Sequence, residues 1–562
     1  MRLPEPAAFC VGDAQFLDSD LAGLAAAQGP AVAWGAAFAK FGVAAPLHVR
    51  GDFAVAVSDA AGRTLLAVDR FSIRTLCYRV DGSSLRYAER ADELAGDSSE
   101  LDAQALFDYL YFHVIPAPRT AFRNVHRVPA GRCAVFEDGK LAVSRWWRPE
   151  FIERRAQPLE ALAEEFRSLL RAAVEDKAGR GKVGCFLSGG TDSSTVVGML
   201  GQVSGRAPPA FSIGFDAEGY DEMTYARIAA RHFNADHHEY YVTPDDVVRS
   251  VPRIAAACDQ PFGNSSVVPA YWCAQMAKDA GIDAMLAGDG GDELFGGNTR
   301  YAKQRLFGVY GRLPAVVRHR LLEPAILGRA SLKGIPVLGK AQSYVEQARI
   351  DMPDRLHAYN LLLRVGVTDV LTEEFLSNVD QEKPLREQRA TYEASTATTL
   401  VNRMLAYDWK YTLADNDLPK VMTAVSLAGV TAGFPLLDDR VVDFSLRLAP
   451  SLKVRGLTLR WFFKKALRGF LPEAIIAKSK HGFGLPFGVW MTRHSGLRTM
   501  ALGSLELLRD GGIVRRDFLD RLAKELLPQA PGYYGEMVWI LMMLGQWQAA
   551  QRNTLLTGHT PQ

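Results

Sequence analysis

The sequence predicts an α/β protein of two domains: a β-rich domain over residues 1–150, and a larger one over 151–562 built on a doubly wound parallel sheet with added helices. Three observations carry this. The chain has 562 residues, more than one hydrophobic core organises. Short alternating strands with turn residues between them fill the first part. Beyond it, strands and helices alternate, and the apolar strands end in glycine-rich turns, the pattern of parallel βαβ units.

Taken in order, residues 21–38 are Ala-rich and follow an acidic Asp18-Ser19-Asp20; they read as one buried amphipathic helix with its lead-in, not a signal peptide. Residues 51–58, GDFAVAVS, alternate apolar with small or polar positions, as a half-buried strand does. Residues 65–70, 76–80 and 85–90 continue the pattern, with turns at 59–62 and 81–84. Residues 133–147 are a hairpin with Asp138-Gly139 at its turn. Over 158–177, Leu159, Leu162, Phe166, Leu169 and Leu170 recur on one side of a helix, which puts the domain boundary near 150. Strands follow at 182–188, within 207–215, at 237–242 and at 283–288, with helices from Ser193 and over 221–233. The chain beyond about 300 is largely helical, and 324–342, with several Gly and Pro, reads as a loop or linker.

Lys and Arg total 65 against 63 Asp and Glu, a balance that predicts no nucleic-acid tract and no polybasic membrane patch. Cys10, Cys77, Cys133, Cys185, Cys258 and Cys273 form no CxxC pair, so zinc and thioredoxin-like readings lack support and a reducing compartment is expected. No uninterrupted apolar run reaches membrane-spanning length in this reading, and cytoplasmic residence is the default.

Two stretches carry chemistry. In residues 186–200, FLSGGTDSSTVVGML, a strand ends in Ser188-Gly189-Gly190 and a helix opens with Asp192, Ser193 and Ser194. Glycines let backbone N–H groups approach an anion, the helix dipole favours negative charge, and the serines add donors. This is a phosphate or pyrophosphate cradle. Asp192 would repel phosphate unless a cation such as Mg²⁺ bridges the two. The GxxxxGK[ST] loop is absent, which excludes a Walker-type NTPase. Residues 286–297, LAGDGGDELFGG, offer a second strand end with Asp289, Asp292 and Glu293. Either loop alone could be a tight turn with an acid as helix cap; the two together point to one Mg²⁺–pyrophosphate unit held between strand ends. His237 and His238 resemble a metal pair on paper, but successive strand residues face opposite ways, so they read as structural.

With these motifs in view the chain resembles the asparagine synthetase family. SGGTDSS resembles that family's SGGxDSS loop, a member of the PP-loop ATP-pyrophosphatase group. Residues 211–239, 286–297, 434–440 and 459–490 are similar to its later segments, and 51–78 to the sheet of its N-terminal glutaminase domain. The resemblance implies an Ntn-type αββα N-terminal domain and a PP-loop synthetase domain. It implies ATP with adenine near Leu187 and the Phe211–Gly214 strand end, which includes Ser212, Ile213 and Gly214, pyrophosphate at Ser188, Gly189, Gly190, Ser193 and Ser194, and Gly288 as a further ATP- or pyrophosphate-binding position. Mg²⁺ falls on Asp192 and Asp292, and Lys480 neutralises the adenylating phosphate. A substrate carboxylate attacks the α-phosphorus, and an amine then displaces AMP. Asp289 sits where an acid would serve as base or orienter for that amine.

The chain also departs from the family. Its second residue is Arg2, where glutamine-dependent members have the Cys nucleophile. Cys10 is the only early cysteine, and exposing it needs cleavage after Phe9. Segments like RGPD and NGEIYN are missing before Gly51, so a degenerate glutaminase domain is expected, with ammonia or a specific amine as nitrogen source. Thr431 and Gly433 replace a Glu and an Arg expected to shape the acceptor side, which puts free aspartate in doubt. Competing readings are aspartate plus ammonia, an intramolecular cyclase of lasso-peptide or β-lactam type, and amidation of a sugar acid or metabolite. A homodimer, or a partner supplying substrate, stays open. Of other classes, an ATP-binding pseudoenzyme would need a damaged loop, and a tRNA- or purine-directed PP-loop enzyme would need a basic face.

Overall fold

The computed structural model describes residues 8–96, 100–153, 158–179, 181–311, 313–327, 336–479 and 484–557. The N-terminal strands are β1 (Phe9–Gly12), β2 (Gln15–Phe16), β3 (Val49–Arg50), β4 (Phe53–Ser58), β5 (Thr64–Val68), β6 (Cys77–Asp81), β7 (Ser84–Ala88), β8 (His126–Arg127), β9 (Arg132–Glu137) and β10 (Lys140–Arg145). An antiparallel sheet runs β1-β4-β5-β9-β10, and a second runs β7-β6-β8. The two-residue period sorts the first sheet. Phe53, Val55, Val57, Leu65 and Ala67 face the helices Ser19–Gln28 and Pro30–Phe41, where Trp34 and Phe38 cover them. Ala54, Ala56, Leu66 and Val68 face the second sheet through Leu76, Tyr78 and Val128. The short helix Asp92–Ala95 packs on the far side, against β6 and β7. The result is helix, sheet, sheet and one turn of helix.

Two expectations for this region change. Residues 21–38 are not one helix: Gly29, at φ 95, ends the first and Pro30 starts the second. The run Pro30–His48, 19 residues of mean hydropathy 1.2, is long and apolar enough to cross a membrane by length and composition. The expectation had no such run. In the fold its apolar residues serve packing, since Trp34, Ala37 and Phe38 lie at helical spacing and bury on the sheet.

The larger domain carries β11 (Val183–Phe186), β12 (Pro209–Phe215), β13 (Asp236–Val242), β14 (Ala284–Leu286) and β15 (Thr431–Gly433) in the order β13-β12-β11-β14-β15. All pairs are parallel. Central β11 and β14 are almost wholly buried, as sheets covered by helices on both faces require. The order reverses between β11 and β14, so the crevice at their carboxyl ends is where a ligand sits in such sheets. Residues 324–342 are not one loop: helix Glu323–Leu327 enters the stretch and helix Pro336–Ala348 leaves it, with Pro336 at a first helical position where no N–H is needed.

Packing does not break near residue 150. Helix Ala103–Phe112 buries Leu106, Phe107, Tyr109 and Leu110 in the same core as the helices of the larger domain. Tyr109 Oη donates to the Ile540 carbonyl at 2.8 Å, inside the helix Pro531–Thr557. Charged pairs cross this seam as well: Lys177 to Asp13 at 2.8 Å, Arg70 to Asp439 at 3.0 Å and Arg127 to Asp259 at 2.7 Å.

Candidate active site

β11 delivers Leu187 and Ser188 to the carboxyl edge, and Gly190 caps the helix Thr191–Ser204. Gly189 has φ 69, and a Cβ there would lie 2.5 Å from the Tyr225 carbonyl carbon, so only glycine fits. The loop is cross-braced. Ser188 N donates to Ser193 Oγ at 3.1 Å, the two hydroxyls lie 3.0 Å apart, and Gly190 N donates to Ser188 Oγ at 3.3 Å. Ser194 is fully buried one turn on, and its Oγ has no partner among the described residues.

The loop after β14 docks on this one. A Cβ on Gly288 would lie 2.7 Å from Ser193 N, and one on Gly291 2.5 Å from Asp192 Cγ. Glycine at both positions lets the loops touch. Asp192 and Asp292 then converge on one cationic side chain, Arg460: Nη1 donates to Asp192 Oδ1 at 2.7 Å, and Nη2 donates to Asp292 Oδ1. Two carboxylates that meet on one guanidinium are a donor set that fits a single hard cation.

Between these loops and the facing helices lies a cavity of about 330 Å³. Leu187, Ser188, Asp192, Ser193, Ile213, Gly288, Asp289 and Asp292 line it; among the described residues, the predicted positions Gly189, Gly190, Ser194, Ser212 and Gly214 do not. Ser212 Oγ donates to the Leu187 carbonyl at 2.6 Å and lies 2.7 Å from His237 Nε2. Gly214 faces Tyr241 and Asp221. Lys480 lies outside the described residues. Lys478, two positions earlier, bonds the Gly189 carbonyl at 3.4 Å and pairs with Glu222 at 3.0 Å.

The acceptor wall differs from expectation. Thr431 is exposed, and Gly433 faces Leu286 and the Lys177 stem rather than the cavity. Residues from two helices take that place: Ser266, Pro269, Ala270 and Cys273 from Val267–Asp279 and its approach, and Asp417, Lys420 and Val421 at Leu418–Ala428. Lys420 Nζ bonds Asp289 at 3.3 Å and Asp417 at 3.2 Å. Burial raises the Asp289 pKa, against the pull of Lys420. Glu293 is pushed well above its ordinary range, by burial first and then by Asp292 and Asp417. Sequence reasoning missed Arg460, Lys420 and Asp417. Arg460 stands in 459–490, a stretch similar to the family, whereas Lys420 stands in DNDLPKV, a stretch that departs from it.

The remaining candidates resolve separately. His237 turns to Ser212, while the His238 ring stacks on Phe211 with centroids 4.8 Å apart. Cys10 sits inside β1, paired with Val55, against the apolar core under the first helices, and burial raises its thiol pKa. That is the opposite of nucleophile activation.

The parallel sheet with two touching glycine–acid loops at its switch point, fused to a strand-rich domain, coincides with two family matches, and these support an ATP-dependent carbon–nitrogen ligase. The chain belongs to the asparagine synthase family: residues 165–549 match the description Asparagine synthase, and 34–147 match Glutamine amidotransferase domain. It is 25% identical over 453 residues to asparagine synthetase [glutamine-hydrolyzing] 1 of Bacillus subtilis, covering 79% of this chain and 69% of that protein. A putative asparagine synthetase of Mycobacterium tuberculosis is 26% identical over 462 residues, covering 79% and 68%. Amidase chyE of Penicillium rubens is 22% identical over 491 residues, covering 81% and 72%.

Proposed function

We propose that the protein is an AMP-forming amide synthetase of the cytoplasm that adenylates a carboxylate and passes it to ammonia or an amine. The supporting observation is the convergence of Asp192 and Asp292 across the two touching loops. In this reading residues 151–562 form the synthetase and 1–150 an amidotransferase-like domain. A substrate carboxylate oxygen bonds to the ATP α-phosphorus as the α–β bridge breaks, releasing pyrophosphate to Ser188, Ser193 and the loop amides. The amine nitrogen then attacks the acyl carbon, AMP departs with the carbon–oxygen bond's electrons, and Asp289 takes the amine proton. Asp192 and Asp292 would hold Mg²⁺, which supplies charge neutralisation at the pyrophosphate. Lys480 is proposed to face the adenylating phosphate. Lys420 holds Asp289 in place and keeps its charge compatible with the buried wall.

The reading includes no glutaminase activity, because the Cys10 thiol lies in a strand against the core with a raised pKa. Two relatives bear the name amidase, and a carboxylate other than aspartate stands as an alternative substrate. ATP–pyrophosphate exchange with labelled pyrophosphate, across a carboxylate panel that includes aspartate, tests the proposal. Exchange that needs one acid and vanishes in Asp192→Ala supports it. ATP binding without exchange for any acid would overturn it in favour of a nucleotide-binding pseudoenzyme.

A further inference from the structure

We infer that Arg460 is the resident counter-ion of the nucleotide-free enzyme: its guanidinium stands where a divalent cation belongs, and it must withdraw before that cation is taken up. This rests on the function proposed above. Arg460 sits immediately before the helix Trp461–Ala466, in left-handed backbone at φ 52, with its N–H donating to the Gly296 carbonyl at 3.1 Å. A non-glycine residue is uncommon there, and such backbone concentrates at functional sites. The side chain is 7% exposed, and the carboxylates it joins, Asp192 and Asp292, are 15% and 17% exposed. Nη1 also donates to Thr191 Oγ1, which leads into the helix behind the phosphate loop. Gly297 keeps clear the space beside Nε and Asp292 that any side chain would fill.

The physical case is direct. Two largely buried carboxylates repel each other unless a cation stands between them. A guanidinium does not lose its proton in a protein, so the pair opens only when the side chain moves. A bare divalent cation must therefore compete with a tethered one and binds weakly. A cation that arrives with a polyphosphate differs, because phosphate oxygens give the displaced guanidinium a bidentate acceptor. Arg460 thereby makes metal uptake conditional on nucleotide, which protects the site from filling with metal alone.

The test uses Mn²⁺ as probe on the full chain without nucleotide, reading free Mn²⁺ by electron paramagnetic resonance. Arg460→Met removes the charge and keeps the stem. It is expected to bind Mn²⁺ at least tenfold tighter than the wild type, and the gain is expected to vanish when Asp192→Asn is added. Arg460→Lys retains a cation that cannot bridge both acids as a fork. It should give an intermediate gain, and it decides the matter if the Met variant fails to fold. Mn²⁺ should also raise the melting temperature of Arg460→Met more than that of the wild type. Equal or weaker Mn²⁺ binding by the folded variants, or a gain that survives Asp192→Asn, overturns the inference. No substrate is involved, so a failure here with intact pyrophosphate exchange removes the Arg460 role alone. Absent exchange with a clear Mn²⁺ gain removes the synthetase reading alone.

Discussion

The crevice between β11 and β14 and the seam between the two domains are both rich in buried charge, and they handle it differently. At the seam these cations each have an acid across it: Arg70 with Asp439, Lys177 with Asp13 and Asp52, Arg127 with Asp259. The cavity is lined by Asp192, Asp289, Asp292, Glu293 and Asp417, with Lys420 as the one cation among its described lining residues. A balanced set of pairs holds two surfaces together; a surplus of one sign costs stability and is kept where a ligand supplies the missing charge. In the proposed function that difference separates the part that holds from the part that binds.

Substitutions should split along that line. The largest effect is expected at the seam, from Arg127→Ala, which leaves buried Asp259 without its hydrogen-bonded cation and with only Arg90 nearby. It should cost about 3–5 kcal/mol of stability in denaturant unfolding while leaving exchange per folded molecule near wild type. Asp192→Asn should do the reverse, lowering pyrophosphate exchange by roughly 10²–10³ with a melting temperature close to wild type. Gly291→Ala inserts a methyl 2.5 Å from Asp192 Cγ and spreads the loops. A loss in exchange on the order of 10² is expected, since misplacing reacting groups by an ångström has that scale.

A milder prediction concerns Lys453, fully buried beside the Phe151 ring and donating to Asn402 Oδ1 at 3.2 Å. Burial pushes its pKa down to about 7 from 10.5. Between those values the unfolded chain binds the proton and the folded chain does not, so stability rises with pH across that window, and below it the penalty is complete. Lys453→Met should therefore raise the melting temperature most at neutral pH and below, with a gain that fades as pH climbs toward 10.5. The smallest effect is expected from Cys10→Ser: glutamine should support no more product than in the wild type, and ammonia-dependent product formation should not change.

The sheet and its loops were legible in the sequence because each signal there is local. Period-two strands such as 51–58 and glycine-rich strand ends such as SGGTDSS need only neighbours in the chain to be read. Arg460 and Lys420 were not legible, because their roles come from where distant segments bring them. Arg460 reaches Asp192 across 268 positions and Lys420 reaches Asp289 across 131. The split at Gly29 was hidden by alanines on both sides that suit one long helix, and the helix from Pro336 by residues that more often mark loops. Thr431 and Gly433 misled because adjacency to a motif suggested a place in the pocket, while the edge strand β15 turns them away from it.

The contact between Tyr109 and Ile540 spans 431 positions of chain. During synthesis the helix Ala103–Phe112 leaves the ribosome long before its docking partner exists. At ordinary elongation rates that wait is roughly 20–90 s. Over that time an apolar surface meant for the last helix stands open to water, to chaperones and to other nascent chains. Yield of the intact protein should then depend on translation speed and temperature more than its final stability would suggest.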